Sequence, residues 1–224
     1  MPSPLSVLAL ASMLGARHAL EPDHLAAVSS IVTAHKNAKS GASVGAAWGL
    51  GHTLSLFIVG AALSVLHTQL PARLGAAFEL IVATMLVVLG GRSVLRAASI
   101  SAEGAVHLHS HGPLKHYHRG PPSHLHIHRR SFARLPFVVG LMHGLAGSGA
   151  LTVLAMGNLR SIKLQIVYMI LFGLGSIAGM TLLSGLAGVP LATISRRPVW
   201  SRGLNYLTGT FSIILGTVWG WNAL

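Results

Sequence analysis

Six stretches of this chain are apolar over about the 20 residues that a helix needs to cross a hydrocarbon core: residues 4–34, 42–66, 74–96, 134–157, 162–188 and 203–223. In lipid the backbone must satisfy its own hydrogen bonds, so such stretches fold as helices. Of the 224 residues, 52% are apolar and 9% charged, which leaves little for a water-facing domain. The sequence therefore predicts an all-α polytopic membrane protein with six transmembrane helices. The first stretch exceeds one crossing and is expected to be broken. Cysteine is absent, which removes any disulfide framework and any thiolate ligand.

The break is expected at Arg17-His18-Ala19-Leu20-Glu21-Pro22-Asp23-His24. Ionisable side chains in a membrane helix are costly unless they have partners or a task. Pro22 has no N–H for the carbonyl four residues back, that of His18, and its ring presses on that carbonyl. A straight helix turns about 100° per residue, so positions 18, 23 and 24 would diverge. A break at Pro22 lets them converge, frees the His18 carbonyl as a further oxygen, and marks where two half-helices can move. Arg17 and Glu21, four apart, are expected to pair. Leu5 to Ala16 could pass for the core of a secretory signal but lacks its basic start, so it reads as the first span.

Charge location matters more here than the formal net charge of +12. With six spans, one face carries Lys36, Lys39, Arg92, Arg96, Lys115, Arg119, Arg129, Arg130, Arg134, Arg196, Arg197 and Arg202, and the other only Arg73, Arg160 and Lys163. This bias puts the first, third and fifth connections in the cytoplasm and both termini outside. It also accounts for the basic balance without nucleic acid.

Shifting the sequence by about 125 residues aligns local patterns in order. Gly15-Ala-Arg-His18-Ala19 matches Gly140-Leu-Met-His143-Gly144, Trp48-Gly-Leu-Gly51-His52 matches Phe172-Gly-Leu-Gly175-Ser176, and Val88-Leu-Gly90 matches Ile214-Leu-Gly216. Residues 1–96 and 134–224 thus read as two three-helix repeats. Three being odd, the second enters from the opposite face, giving an inverted repeat with His18 and His143 facing each other near the midplane.

Four histidines lie within these spans, His18, His24, His52 and His143. Together with Asp23 they make five candidate metal ligands in a chain with only four acidic residues. One such histidine alone is more often an interhelical hydrogen bond, but the clustering of His18, Asp23 and His24 favours ligation. Neutral imidazoles with one carboxylate suit Ni²⁺, Co²⁺ or Zn²⁺ better than Mg²⁺ or Ca²⁺. Thr53, Ser148, Asn158 and Ser176 read as packing or backbone-bonding groups, Met13 and Met142 as core, and Glu79 as interfacial.

Between the repeats, residues 97–133 hold His107, His109, His111, His116, His118, His124, His126 and His128 among glycines and prolines. That composition cannot build a core but can hold metal loosely. The segment is expected to be a cytoplasmic loop without regular structure that buffers metal.

His18-Ala-Leu-Glu-Pro-Asp23-His24-Leu-Ala-Ala-Val resembles the first signature of the nickel/cobalt transporter (NiCoT) family, a membrane histidine followed by Asp-His. Leu50-Gly51-His52-Thr53 is similar to that family's second signature. Gly140-Leu-Met-His143-Gly-Leu-Ala-Gly-Ser148 resembles its short, six-helix urease-accessory branch, the UreH-like permeases. The resemblance covers all six spans. It implies secondary transport of Ni²⁺ or Co²⁺ across a bacterial inner membrane, with His18, Asp23, His24 and His52 in or near the ion path and His143 carried over less firmly. It also implies a cytoplasmic nickel chaperone as partner. The longer members have eight spans and an aspartate-rich first motif, whereas Glu21-Pro22 precedes Asp23 here.

The function expected from the sequence is a nickel-uptake permease, not an enzyme, with the transported divalent ion as substrate and no bound cofactor. No phosphate-cradling motif is present. The alternatives are the same scaffold run outward as a nickel/cobalt exporter, and a membrane metal sensor or assembly partner of a nickel enzyme. A metalloprotease is disfavoured because no His-Glu-x-x-His occurs.

Overall fold

A computed structural model describes residues 4–32, 38–66, 68, 70–100, 106–111, 114–119, 134–144, 161–194 and 198–224. In chain order the elements are α1 (Pro4–His18), α2 (Pro22–Val32), α3 (Ala38–Leu66), α4 (Ala72–Ile100), β1 (Val106–His111), β2 (Leu114–Arg119), α5 (Arg134–His143), α6 (Ile162–Ile194) and α7 (Pro198–Asn222). Among the described residues, three helices are long and apolar enough to cross a membrane: α3, α4 and α6. The rest of the expected fourth span lies largely outside the described residues.

The first stretch is broken, as its length and proline require, but not by a kink inside one helix. α1 ends at His18, and Pro22 opens α2 at the first helical position, where a missing N–H costs nothing. Glu21 caps α2 through its carbonyl, which accepts the Leu25 N–H at 2.9 Å. Asp23 stands in the first turn, where a negative charge meets the positive helix end. The His18 carbonyl is not freed as a ligand: it accepts the Glu21 N–H at 3.1 Å. A turn has replaced the helical bond that Pro22 removes.

Lipid cannot drive helices together by hydrophobicity, so they associate through small residues and buried hydroxyls. α1 packs on α6, α3 on both α6 and α5, and α4 on α7. A Cβ at Gly15 would overlap the carbonyl of Phe172, and one at Gly140 the carbonyl of Trp48. Likewise a Cβ at Gly175 would strike the Ser12 carbonyl, and one at Gly51 that of Phe137. These are counterparts under the shift of about 125 residues: α1 meets α6 through the same positions by which α5 meets α3. The third helices follow suit, with Gly90 against the Gly209 carbonyl and Gly216 against that of Ala83. Hydroxyls lock the same seams: Ser176 donates to the Gly15 carbonyl at 3.2 Å, Thr53 to that of Gly173 at 3.2 Å, and Ser212 to that of Leu86 at 2.8 Å.

Two buried clusters fill the interior, one around Trp48, Val44, Leu86 and Met180, the other around Leu56, Met169 and Phe172. Large apolar side chains are exposed along every long helix, among them Leu50, Ile58, Val88, Leu95, Leu174, Leu182, Leu207 and Ile214. Such a surface suits a hydrocarbon solvent. Met13, expected in the core, is on that surface, whereas Met142 packs against the first cluster.

Between the helices, residues 106–111 and 114–119 are the described part of the segment after α4. α4 continues to Ile100, and β1 and β2 pair antiparallel with Val106 opposite Arg119 and His111 opposite Leu114. The reason lies in Val106-His-Leu-His-Ser-His111, whose strict alternation has the period of a strand. His124, His126 and His128 lie outside the described residues.

Candidate functional site

All five candidate ligands come together where the broken first stretch meets α3 and α5. His18 is the last residue of α1, Asp23 and His24 lie in the first turn of α2, His52 is midway along α3, and His143 ends α5. All are buried, His52 completely and the others at 4% exposure or less. One donor atom each from His18, His24 and His52 lies within 4.8 Å of the others, and the same holds for Asp23, His24 and His143. His24 belongs to both groups. His18 and His143 do not face each other directly as the repeat suggested. His24 stands between them, its ring 4.4 Å from that of His18 and 4.3 Å from that of His143.

The hydrogen bonds fix where protons reside on neutral rings. Asp23 accepts from His24 Nδ1 through Oδ1 at 3.1 Å and from His143 Nε2 through Oδ2 at 2.5 Å. Glu21 accepts from His18 Nδ1 at 3.0 Å. With its proton on Nδ1, His18 accepts at Nε2 the proton of His52 Nε2, 3.0 Å away. Each remaining nitrogen, His24 Nε2, His52 Nδ1 and His143 Nδ1, then carries an in-plane lone pair. None of these three atoms has a hydrogen-bond partner among the described residues. Buried polar atoms are nearly always bonded, so three such nitrogens in one cluster mark it as a candidate binding site.

Carboxylates that accept the far N–H of metal-bound histidines fix tautomer and ring direction. Asp23 holds two rings in this way and Glu21 a third. The cluster also sits at two helix C-termini, those of α1 and α5, whose carbonyl ends carry partial negative charge and favour a cation.

Trp48, on α3, was not legible as part of the site. Its ring stacks on His24 at 5.4 Å and an interplanar angle of 7°, and lies 5.7 Å from His143. The available signal was spacing: Trp48 precedes His52 by four residues and so shares its helix face. Phe172 closes the opposite side, 5.6 Å from His18. Thr53 and Ser176 bond backbone carbonyls, as expected, while Ser148 and Asn158 fall outside the described residues.

A comparison with curated proteins finds the urease accessory protein UreH of Bacillus sp. (strain TB-90), 31% identical over 222 residues that make up 97% of this chain and 92% of the relative. The chain belongs to the UreH family. As a UreH-family member it falls in the urease-accessory branch of the NiCoT proteins, as the three motifs suggested. No family model and no solved structure matches it. The described helices and the UreH likeness together make it a membrane protein.

Proposed function

We propose that this chain is a secondary permease carrying a divalent transition metal, nickel foremost and cobalt next, through the buried cluster of His18, Asp23, His24, His52 and His143. The observation that carries the reading is the set of three buried imidazole nitrogens, on His24, His52 and His143, without a hydrogen-bond partner among the described residues, with the His24 and His143 rings held by Asp23 and the His52 ring by His18. Nickel rests on the NiCoT resemblance drawn above, and the relative's name, urease accessory protein, supports a role alongside urease.

In this reading the cation exchanges its water for imidazole nitrogen and carboxylate oxygen. Water retains such an ion strongly, so the site must return comparable ligation: borderline nitrogens with one carboxylate do so for Ni²⁺ or Co²⁺ and poorly for Mg²⁺. His24, shared by both donor groups, lets the ion pass from the His18/His52 side to the Asp23/His143 side without losing all its protein ligands. Ion entry must displace the His18–His52 hydrogen bond, since both ring nitrogens compete for the same space. The break between α1 and α2 supplies the joint that motion needs.

We further read the bundle as six spans in two inverted repeats in the bacterial inner membrane, with both termini outside and the histidine-rich segment cytoplasmic. The paired glycine–carbonyl contacts and the distribution of basic residues support this. Uptake needs no separate fuel: moving a divalent cation inward across 100 mV is worth about 4.6 kcal/mol, about a thousandfold or more in concentration. The test is Ni²⁺, Co²⁺, Zn²⁺ and Mn²⁺ flux into proteoliposomes. Uptake by wild type that is abolished in His18→Ala supports the proposal. Binding without flux assigns the chain to metal sensing or enzyme assembly, and potential-independent export on an imposed proton gradient assigns it to efflux.

A further inference from the structure

A cavity of about 470 Å³ opens between α4 and α5, and none of the five candidate ligands lines it. α4 contributes residues from Leu80 to Arg92 and α5 residues from Leu135 to Met142. The spacing is helical on both sides: Ile81, Met85, Val88 and Arg92 follow one face of α4, and Leu135, Val138 and Met142 one face of α5. Among the described residues that line it, only Thr84 and Arg92 are polar. The Thr84 hydroxyl donates to the Leu80 carbonyl at 2.8 Å. Arg92 is thus the lining side chain with hydrogen bonds left to give.

The groove has a direction. α5 runs with α3, since Gly140 meets Trp48 and Gly144 meets His52, whereas the chain turns back between Leu66 and Ala72 to form α4. α4 and α5 are therefore antiparallel, so Arg92 stands where α5 begins and Met142 lies at the inner end, beside His143. From Leu80 to Arg92, α4 rises about 18 Å, a little more than one leaflet, which is half of the roughly 30 Å hydrocarbon core. Arg96, one turn beyond Arg92, and Arg134, just before Leu135, add two more guanidinium groups at the outer end. All three arginines are exposed, and among the described residues no carboxylate pairs with any of them. Glu21 and Asp23 belong to the histidine centre, and Glu79 lies about 20 Å back along α4.

We propose that this groove binds an anionic phospholipid, one acyl chain lying along it and the phosphate held by Arg92 with Arg96 and Arg134. The arginine fork matches phosphate oxygens in bidentate fashion, and basic pockets between membrane helices recognise anionic headgroups. A zwitterionic headgroup brings its own ammonium, which three cations repel. A free phosphate would use the arginines but leave the apolar length unfilled, so the groove favours the lipid. The site is independent of the metal centre and would stand if the chain moved no ion.

Native mass spectrometry and thermal melts of the full chain in detergent, with phosphatidylglycerol or phosphatidylcholine added, test this. Wild type is expected to retain phosphatidylglycerol about fivefold or more over phosphatidylcholine and to melt higher with it. R92Q/R96Q should melt like wild type without lipid and lose that preference. V88W places an indole in the groove from a position that is 55% exposed, and should lose the lipid with the arginines intact. R202Q removes an exposed cation of α7 and should keep the preference. An unchanged preference in R92Q/R96Q, an equal loss in R202Q, unchanged binding in V88W, or an equal rise in melting temperature with inorganic phosphate would overturn the proposal.

Discussion

At the scale of the residue, the centre is governed by Asp23. One carboxylate orients two imidazoles, so replacing it with asparagine leaves shape nearly intact while allowing either ring to turn or change tautomer. Asp23→Asn is expected to weaken Ni²⁺ binding about 10–100-fold with little loss of folding, as read by calorimetric titration and thermal stability on one preparation. Trp48 makes the complementary case. Its indole N–H has no partner among the described residues, so Trp48→Phe should retain transport within a few-fold. Trp48→Ala opens a cavity beneath His24 and should destabilise the protein by about 3–5 kcal/mol. The clustered residues were legible because an imidazole or carboxylate in an apolar run is conspicuous. Trp48 was not, since an aromatic residue in the same run looks like packing. The contact of Glu21 with His18 was not legible either, since the spacing along a continuous helix pointed to Arg17, whereas α1 ends at His18.

At the scale of the element, Pro22 decides the geometry. Its substitution by alanine restores the N–H that a continuous helix requires, and a continuous helix points His18 away from Asp23 and His24. Pro22→Ala is expected to cut Ni²⁺ flux in proteoliposomes by about tenfold or more while the purified protein keeps its helix content by circular dichroism. The helix seams give a second prediction. Gly140→Ala and Gly15→Ala each drive a methyl into a facing carbonyl and should lower thermal stability together, as counterparts. Gly91→Ala meets nothing within 4 Å and should gain up to about 1 kcal/mol of helix propensity. Thermal melts of the three variants in one detergent decide it, and a neutral Gly140→Ala would contradict the close contact. The sequence announced the break through proline and the seams through glycine. It did not announce the hairpin, because the alternation of residues 106–111 was overshadowed by a composition that reads as loop.

At the scale of the whole molecule, the two halves meet through matched contacts but carry unequal chemistry. Under the repeat, His18 answers to His143, whereas Asp23, His24 and His52 answer to positions 148, 149 and 176, where Ser148, Gly149 and Ser176 stand. The first half thus supplies four of the five candidate ligands and the second one imidazole. This asymmetry explains why repeat arithmetic placed His143 in the site yet misjudged its neighbour. It also places the helix break and three of the five candidate donors in the same short segment, residues 18–24. The central claim is that a divalent cation binds among these intramembrane side chains. X-ray absorption at the nickel edge of the Ni²⁺-loaded full chain, with the eight histidines between positions 107 and 128 replaced by glutamine, tests it most directly. The account predicts a nitrogen/oxygen shell at about 2.0–2.1 Å with imidazole scattering, reduced on adding His24→Ala; a spectrum that His24→Ala leaves unchanged would contradict it.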